Sequence, residues 1–274
     1  MDALGQPFDP LKAAASRRLP FSPRVVWPFL LLFAGGIAAS LGDGVPREVA
    51  LALGAAGFHG ALVAAALASA LGRSGWQRPA WLIAVALFGA TAAAQREPWG
   101  AAAYLVVPLA LAALGARHAE LGRIGLRRPE SNVAWLLGAG AGLFLGGHLL
   151  LSASRTFGYP IQPAPAAPVL AAIAYDAGAN VISAELFFRG VIFNFWHRRQ
   201  GFWAGATLST GACLLRYVLD PALPRTVEVT IGAVFYVTLL SLASCALLAL
   251  SGSLLPSMLA GLCFFGAYRT LRPS

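Results

Sequence analysis

The stretch Ala184-Glu185-Leu186-Phe187-Phe188-Arg189-Gly190 decides how this sequence is interpreted, because it places two charges inside the apolar run from Ala166 to Trp196. A charge at mid-membrane costs roughly 2.5–3.5 kcal/mol on insertion scales. Glu185 and Arg189 are four residues apart, a spacing that puts both on one face of a helix, where they can pair and point into a bundle. The two charges therefore predict either a functional site or a buried ion-pair network that fixes helix register.

The composition predicts an integral membrane protein. Hydrophobic residues make up 58% of the chain and charged residues 11%, with a mean hydropathy of +0.70, whereas a soluble domain carries about 25% charged residues. A net charge of +9 in a soluble protein would suggest nucleic-acid binding. Here the basic residues lie in short loops between apolar runs, so we predict the lipid bilayer as partner and no nucleic acid.

Two further features of the composition bear on cofactors and origin. The cysteines, Cys213, Cys245 and Cys263, all fall in apolar runs without zinc-type spacing, so we interpret them as small hydrophobes and expect neither a metal nor a cofactor. Heavy use of Arg, Ala and Gly beside a single lysine, Lys12, indicates a GC-rich bacterial genome. We therefore expect a multi-pass protein of the bacterial inner (plasma) membrane.

Apolar runs of about 17–25 residues predict spanning helices. The runs are Val25–Gly42, Val49–Gly72, Ala80–Gln95, Ala101–Ala116, Val133–Ser152, Pro168–Trp196, Phe202–Leu219, Val227–Leu250 and Leu254–Tyr268. The predicted fold is an all-α, polytopic transmembrane bundle of about eight to nine spans. We divide it into a basic tail (1–24), N-terminal transmembrane helices (25–153) and motif-bearing transmembrane helices (166–270).

The distribution of arginines predicts the orientation. The loops on the side of the N-terminal tail contain Arg73, Arg78, Arg117, Arg123, Arg127, Arg128, Arg198 and Arg199. The alternate loops carry few or mixed charges, which puts the N-terminus in the cytoplasm by the positive-inside rule. Arg269 and Arg272 would then lie outside, a mild conflict with this assignment. We expect the basic segment Arg117–Asn132 to lie along the cytoplasmic interface, and the Pro-rich segment Arg155–Pro168 to be an extended loop without helix.

Glu185, Arg189 and Gly190 resemble the first motif of the CPBP intramembrane proteases, the bacterial relatives of the eukaryotic endopeptidase that trims prenylated CAAX tails. That motif has two adjacent glutamates, three further residues and an arginine. The run Gly252-Ser253-Leu254-Leu255-Pro256 is similar to the one that opens the family's last motif-bearing helix. The resemblance implies a water-activating glutamate assisted by histidines and an Asn or Asp, and it covers about the last hundred residues.

The sequence departs from this pattern at the catalytic positions. Ala184 replaces the first glutamate, the water activator, while Arg216 takes the place of the second motif's histidine. Gly261 and Phe265 stand where the third motif would carry its His and Asn. None of these four side chains can act as a general base, and arginine cannot be deprotonated in proteins. The resemblance therefore predicts a catalytically degenerate relative with the remnant catalytic residues Glu185 and Arg189.

Other polar residues in the apolar runs are candidates for binding or for rescue of activity. We predict that Arg216, Asn180 and Asp176 contribute to binding, with Asp176 near the face opposite Glu185. His59 and His148 lie within other spans and could donate into the same cavity, although a lone intramembrane histidine more often hydrogen-bonds across helices. The glycines at 138, 140, 142, 146 and 147 permit close packing, either internally or at a dimer face.

Three functions follow as hypotheses. The first is a non-catalytic relative of these proteases that binds a transmembrane or lipidated protein segment, or assists a membrane protein-processing system. The second is an active intramembrane endopeptidase that hydrolyses peptides with Glu185 and borrowed groups. The third, a small-molecule transporter, would need polar residues along a path through the membrane, whereas here they concentrate in one layer.

Overall fold

A computed structural model describes residues 21–42, 44–158, 165–218 and 227–270. Over these residues the chain is helical and contains no strand, so the all-α prediction is confirmed. Helices are expected in an apolar environment, because a helix satisfies the hydrogen bonds of its backbone N–H and C=O groups within the segment. The protein is a multi-pass membrane protein.

The α-helices are α1 (Trp27–Ser40), α2 (Arg47–Gly75), α3 (Gln77–Arg96), α4 (Val106–Arg117), α5 (Val133–Phe157), α6 (Ala166–Tyr175), α7 (Val181–Ala184), α8 (Asn194–Gln200), α9 (Phe202–Val218), α10 (Val227–Ser251) and α11 (Leu255–Tyr268). Three 3₁₀ helices cover Pro23–Val25, Pro98–Leu105 and Ala119–Ile124. Two π-helical segments cover Asp176–Asn180 and Glu185–Phe193.

Each of the nine predicted apolar runs coincides with helix. Among the described residues, the helices long and apolar enough to cross a membrane are Arg47–Gly72, Pro98–Arg117, Val133–Thr156, Ala166–Gln200 and Thr230–Ser251. Two shorter apolar helices are Trp27–Ser40 and Leu255–Tyr268. The structure thus supports five candidate spans, and the count of eight to nine stays a prediction.

The prediction of a helix-free segment at Arg155–Pro168 is wrong at both ends. Helix α5 continues to Phe157 and is closed by Gly158, whose φ of +67° is the left-handed conformation common just after a helix. Helix α6 begins at Ala166, so Pro168 lies in its first turn, where the missing N–H has no intrahelical partner to lose. Residues 159–164 lie outside the described residues, as do residues 1–20 of the predicted tail.

The helices group into two compact units by their internal contacts. The first unit contains described residues 21–122 and 165–187, and the second contains 123–158, 188–218 and 227–270. In the first unit, α2 packs against both α1 and α3, with Phe29, Leu67 and Leu87 fully buried. In the second unit, α10 packs against α5, α9 and α11 around Tyr236, Leu240 and Phe264.

Small residues bring α5 and α11 close together in the second unit. Gly138, Gly142 and Gly146 face Pro256, Ala260 and Ala267, and a Cβ on any of the three glycines would clash with α11. Gly140 and Gly147 have open space instead. The glycine stretch, which the sequence left open between internal packing and a dimer face, therefore serves internal packing through its i, i+4 stripe.

Substituting these glycines by alanine should have opposite effects on the two faces of α5. A Cβ at Gly142 would lie 2.8 Å from the Ala260 Cα, so Gly142→Ala should lower the free energy of unfolding by about 1–3 kcal/mol through overpacking. Gly140→Ala is the matched control, and it should be neutral or stabilising because alanine favours helix by about 1 kcal/mol. Denaturant unfolding of the purified protein in detergent measures both changes. Equal effects of the two substitutions would contradict the packing described.

Candidate functional site

The motif residues lie on one continuous helical run, Ala166–Gln200, which includes both π-helical segments. Glu185 and Arg189 occupy the second of these segments and are buried, with 4% and 2% of their surfaces exposed. A four-residue step falls just past a full turn of an α-helix and just short of one in the wider π-helix. Both geometries keep the two side chains on one side of the run.

In the first unit, His59 joins α2 to the motif-bearing run. Its Nδ1 hydrogen-bonds the Ser183 hydroxyl at 2.8 Å, and its Nε2 hydrogen-bonds the Tyr175 hydroxyl at 3.0 Å. Ser183 is two residues before Glu185, about 200° around an α-helix, so this contact lies on a different face of the run from Glu185. For His59 to take a proton from a water on Glu185, it would first have to give up Ser183 or Tyr175.

Asp176 and Asn180, both predicted as binding residues, contact each other in the first unit. The Asn180 amide Nδ2 donates to the Asp176 Oδ1 at 3.0 Å, and the Ser183 hydroxyl donates to the Asn180 carbonyl. All three side chains are buried. Their i, i+4, i+7 spacing makes one polar stripe on an apolar run, a signal that could have identified Ser183 from the sequence. Together with His59, they form what we call the His59 layer.

The His59 layer continues into α3 and the 3₁₀ helix Pro98–Leu105. The rings of Tyr175 and Tyr104 meet edge to face with centroids 5.3 Å apart. The Tyr104 hydroxyl lies 2.8 Å from the Thr91 Oγ1, which itself donates to the Leu87 carbonyl. Tyr104 is therefore the donor to Thr91. Sequence reasoning missed these residues, since a hydroxyl in an apolar run has no spacing that distinguishes it.

In the second unit, α9 presents a polar stripe to the motif-bearing run. The Arg189 Nη1 donates to the Cys213 Sγ at 3.3 Å, and the Ser209 hydroxyl donates to the Phe188 carbonyl at 2.7 Å. Arg216 follows Ser209 and Cys213 at i+7 and i+3, which places it on the same stripe of α9. Cys213 is buried as predicted, and it also accepts a hydrogen bond, a role that the sequence did not indicate.

The residues aligned with the family's second and third motifs lie next to each other in the second unit. The Arg216 guanidinium lies over the Tyr217 ring, 4.6 Å from its centroid. The Tyr217 ring stacks on Phe265 of α11, with centroids 6.1 Å apart and planes 22° apart. Gly261 is buried one turn before Phe265. In the predicted alignment, Arg216 and Gly261 take the places of the family's histidines and Phe265 that of its asparagine, while Tyr217 lies between Arg216 and Phe265.

His148 has a separate environment in the second unit. It lies on an exposed part of α5, and its Nδ1 hydrogen-bonds the hydroxyl of buried Tyr236 at 2.7 Å. The two histidines of the apolar runs thus each hydrogen-bond a tyrosine on another helix, as an intramembrane histidine commonly does. Within the part of the chain that the structure describes, no three His, Cys, Asp or Glu residues gather closely enough to hold a metal ion.

The Gly252-Ser253-Leu254 run holds the basic segment Arg117–Asn132. The Leu254 N–H donates to the Gly125 carbonyl at 2.8 Å, and the Ser253 hydroxyl donates to the Arg127 carbonyl. In return, the Arg127 Nε donates to the Gly252 carbonyl at 3.0 Å. We call these three hydrogen bonds the loop clamp. Through them, the Gly252-Ser253-Leu254 run fixes the backbone of the basic segment.

The basic segment also contacts the motif-bearing run. Gly190 faces the Ile124 carbonyl, which a Cβ on Gly190 would approach to 2.8 Å. One turn later, the Asn194 Nδ2 donates to the Arg123 carbonyl at 2.7 Å. Position 190 thus favours glycine because the loop backbone passes too close for a Cβ atom, and not because the backbone adopts a conformation reserved for glycine.

The motif-bearing run carries a buried glutamate and a buried arginine on a π-helical segment, and in the second unit α11 directly follows Gly252-Ser253-Leu254. Residues 165–264 match the family described as Type II CAAX prenyl endopeptidase Rce1-like. This match confirms the predicted resemblance to CPBP proteases, and it covers α6 to α11 up to Phe264. Among curated proteins and among solved structures, none matches the chain. The CAAX endopeptidase-like segment thus contains Glu185, Arg189, and the loop clamp's donors Ser253 and Leu254.

Loss of the clamp's hydroxyl should loosen the basic segment. Ser253→Ala removes the hydrogen bond to Arg127, and a net loss of about 1 kcal/mol would raise the open population roughly fivefold. Tryptic cleavage after Arg127 should accelerate by the same factor, whereas the Arg128–Pro129 bond resists trypsin in either state. Ser40→Ala is the control, since the Ser40 hydroxyl is exposed and bonds only within its own helix at Ile37. Unchanged cleavage in Ser253→Ala would show that the clamp does not hold the segment.

Proposed function

We propose that this protein is a catalytically inactive CAAX endopeptidase-like protein that binds a transmembrane or lipidated peptide segment of a partner protein. The observation that carries the proposal is the set of residues at the aligned catalytic positions, namely Ala184, Arg216, Gly261 and Phe265. Peptide hydrolysis needs a positioned general base for the attacking water and donors for the oxyanion. Of the family's acid and base groups, the segment retains Glu185.

The packing around these positions supports a binding role. The ring of Phe265, which takes the family asparagine's place in the predicted alignment, stacks on Tyr217, and the Arg216 guanidinium covers the Tyr217 face. A guanidinium beside aromatic rings suits recognition of a carboxylate or a carbonyl-rich peptide end through charge-assisted hydrogen bonds. We assign Arg216 to this contact, and we place the protein in the bacterial inner membrane with its N-terminus in the cytoplasm.

The alternative, an active endopeptidase that uses Glu185, is favoured by the burial of this carboxylate within the motif-bearing run. Against it, the histidine that could assist is already engaged, because the two ring nitrogens of His59 hydrogen-bond Ser183 and Tyr175. A measurement of peptide hydrolysis therefore distinguishes the binding protein from the active endopeptidase.

The turnover experiment uses the full-length protein in liposomes with a fluorogenic prenylated CAAX-type peptide and a transmembrane reporter peptide. We expect hydrolysis at the background rate, with no change in Glu185→Gln, because no aligned histidine or first glutamate assists Glu185. A catalytically competent family protease in the same liposomes serves as positive control. Hydrolysis above background that disappears in Glu185→Gln would establish the endopeptidase and overturn the proposal.

A binding experiment tests the other half of the proposal. The same prenylated peptide, with a free C-terminal carboxylate, should bind the wild-type protein and bind Arg216→Gln roughly tenfold more weakly, the loss expected for a hydrogen bond to a charged group. Arg155→Gln is the control, because Arg155 is exposed near the end of α5 and lies outside the matched segment. Equal affinities for all three proteins would contradict the role of Arg216.

A further inference from the structure

The second unit carries a concentration of arginines that the proposed function does not use. Arg123, Arg127 and Arg128 come from the basic segment, while Arg198 and Arg199 come from the end of α8. Across residues 123–132 and 188–203 the sequence contains one acidic residue, Glu130. Its carboxylate lies 3.8 Å from Arg127, with both side chains largely exposed, so it offsets little of the charge of the other four arginines.

Asn194 holds the side chain of Arg198 next to the backbone of Arg123. Its Nδ2 donates to the Arg123 carbonyl at 2.7 Å, and its Oδ1 accepts from the Arg198 Nε at 3.0 Å. Asn194 is itself buried, whereas Arg123 and Arg198 are exposed residues. A buried amide therefore orders the Arg198 guanidinium and brings it close to the backbone from which the exposed Arg123 side chain extends.

Aromatic residues place this arginine group at the boundary of the apolar layer. The Arg199 guanidinium lies over the Phe195 ring, 3.8 Å from its centroid. Trp203, in the first turn of α9, is 74% exposed. Tryptophan at the end of an apolar helix sits at the level of lipid headgroups, and arginine there rests its stem on apolar surface while its charge reaches the headgroups.

We propose that Arg123, Arg198 and Arg199 form a site for the phosphate of an anionic phospholipid headgroup, with Trp203 against the upper acyl chain. Guanidinium groups bind phosphate oxygens in pairs of parallel hydrogen bonds. Basic pockets at the ends of membrane helices bind anionic lipid headgroups by this chemistry. The site is independent of the proposed function, because none of its residues occupies an aligned catalytic position.

The test measures lipid binding to the full-length protein in detergent by native mass spectrometry, with phosphatidylglycerol and phosphatidylcholine as probes. The wild-type protein should retain phosphatidylglycerol in preference to phosphatidylcholine. The triple variant Arg123→Gln, Arg198→Gln, Arg199→Gln should lose at least roughly tenfold in affinity for phosphatidylglycerol. The control triple Arg47→Gln, Arg96→Gln, Arg155→Gln removes the same charge from exposed residues elsewhere and should keep the wild-type affinity.

Further arms keep the result decisive. Replacing the same three arginines by lysine preserves the charge but removes the planar guanidinium fork. The lysine variant should therefore weaken phosphatidylglycerol binding less than the glutamine variant does. It also provides a test if the glutamine variant fails to fold. Equal losses in the two glutamine triples would mean general charge attraction and would overturn the site. Binding of phosphatidylcholine as tight as that of phosphatidylglycerol, or displacement of the lipid by millimolar inorganic phosphate, would overturn the assignment to a lipid.

Discussion

The burial of Glu185 and Arg189 is the constraint on which the rest of this structure depends. A charge in an apolar layer must find its partners inside the protein, since neither lipid nor bulk water is there to satisfy it. Both residues lie in a π-helical segment of the helical run Ala166–Gln200. Arg189 donates a hydrogen bond to Cys213, which belongs to the polar stripe of α9. Once these contacts exist, the register of α9 is fixed, and the position of Arg216 follows from it.

The same principle accounts for the remaining polar groups in the apolar runs. Several of these contacts tie a side chain to a different helix or to a loop: His59 to Ser183 and Tyr175, His148 to Tyr236, and Ser253 to Arg127. Such hydrogen bonds contribute only about 0.6 kcal/mol on average in membranes. Their larger effect is on specificity, because a helix that rotated or slid would leave polar groups unsatisfied in lipid. A protein that lost its catalytic groups would still need these contacts to fold.

The sequence predicted the elements well and the roles of particular residues less well. Apolar length located the long helices but not the 3₁₀ helix Ala119–Ile124, and the charge pair at Glu185 and Arg189 located the motif-bearing run, because both signals depend on transfer from water to lipid. The π-helical segments were not predicted, since they arise from tertiary packing and leave no mark in the periodicity. Gly252-Ser253-Leu254 was recognised as a family landmark, but its task of holding the Arg127 backbone could be seen only with the loop in place.

Residue chemistry also limited what could be inferred about the site. The resemblance predicted that Arg216 replaces a histidine of the family pattern, whereas its contact with Tyr217 and the stacking of Tyr217 on Phe265 required coordinates. The candidate binding residues Asp176 and Asn180 satisfy each other within one helical run, an outcome that i, i+4 spacing permits but does not dictate. Their role in binding stays a prediction.

The central claim is that the retained charges hold a binding scaffold together and no longer serve hydrolysis. A double-mutant cycle on the free energy of unfolding tests it most directly, with Glu185→Gln, Arg189→Gln and the double variant measured in detergent. The account predicts that each single substitution destabilises the protein and that the pair is coupled by at least about 1 kcal/mol. Stability unchanged by Glu185→Gln, with no coupling to Arg189, would contradict the claim and return Glu185 to a chemical role.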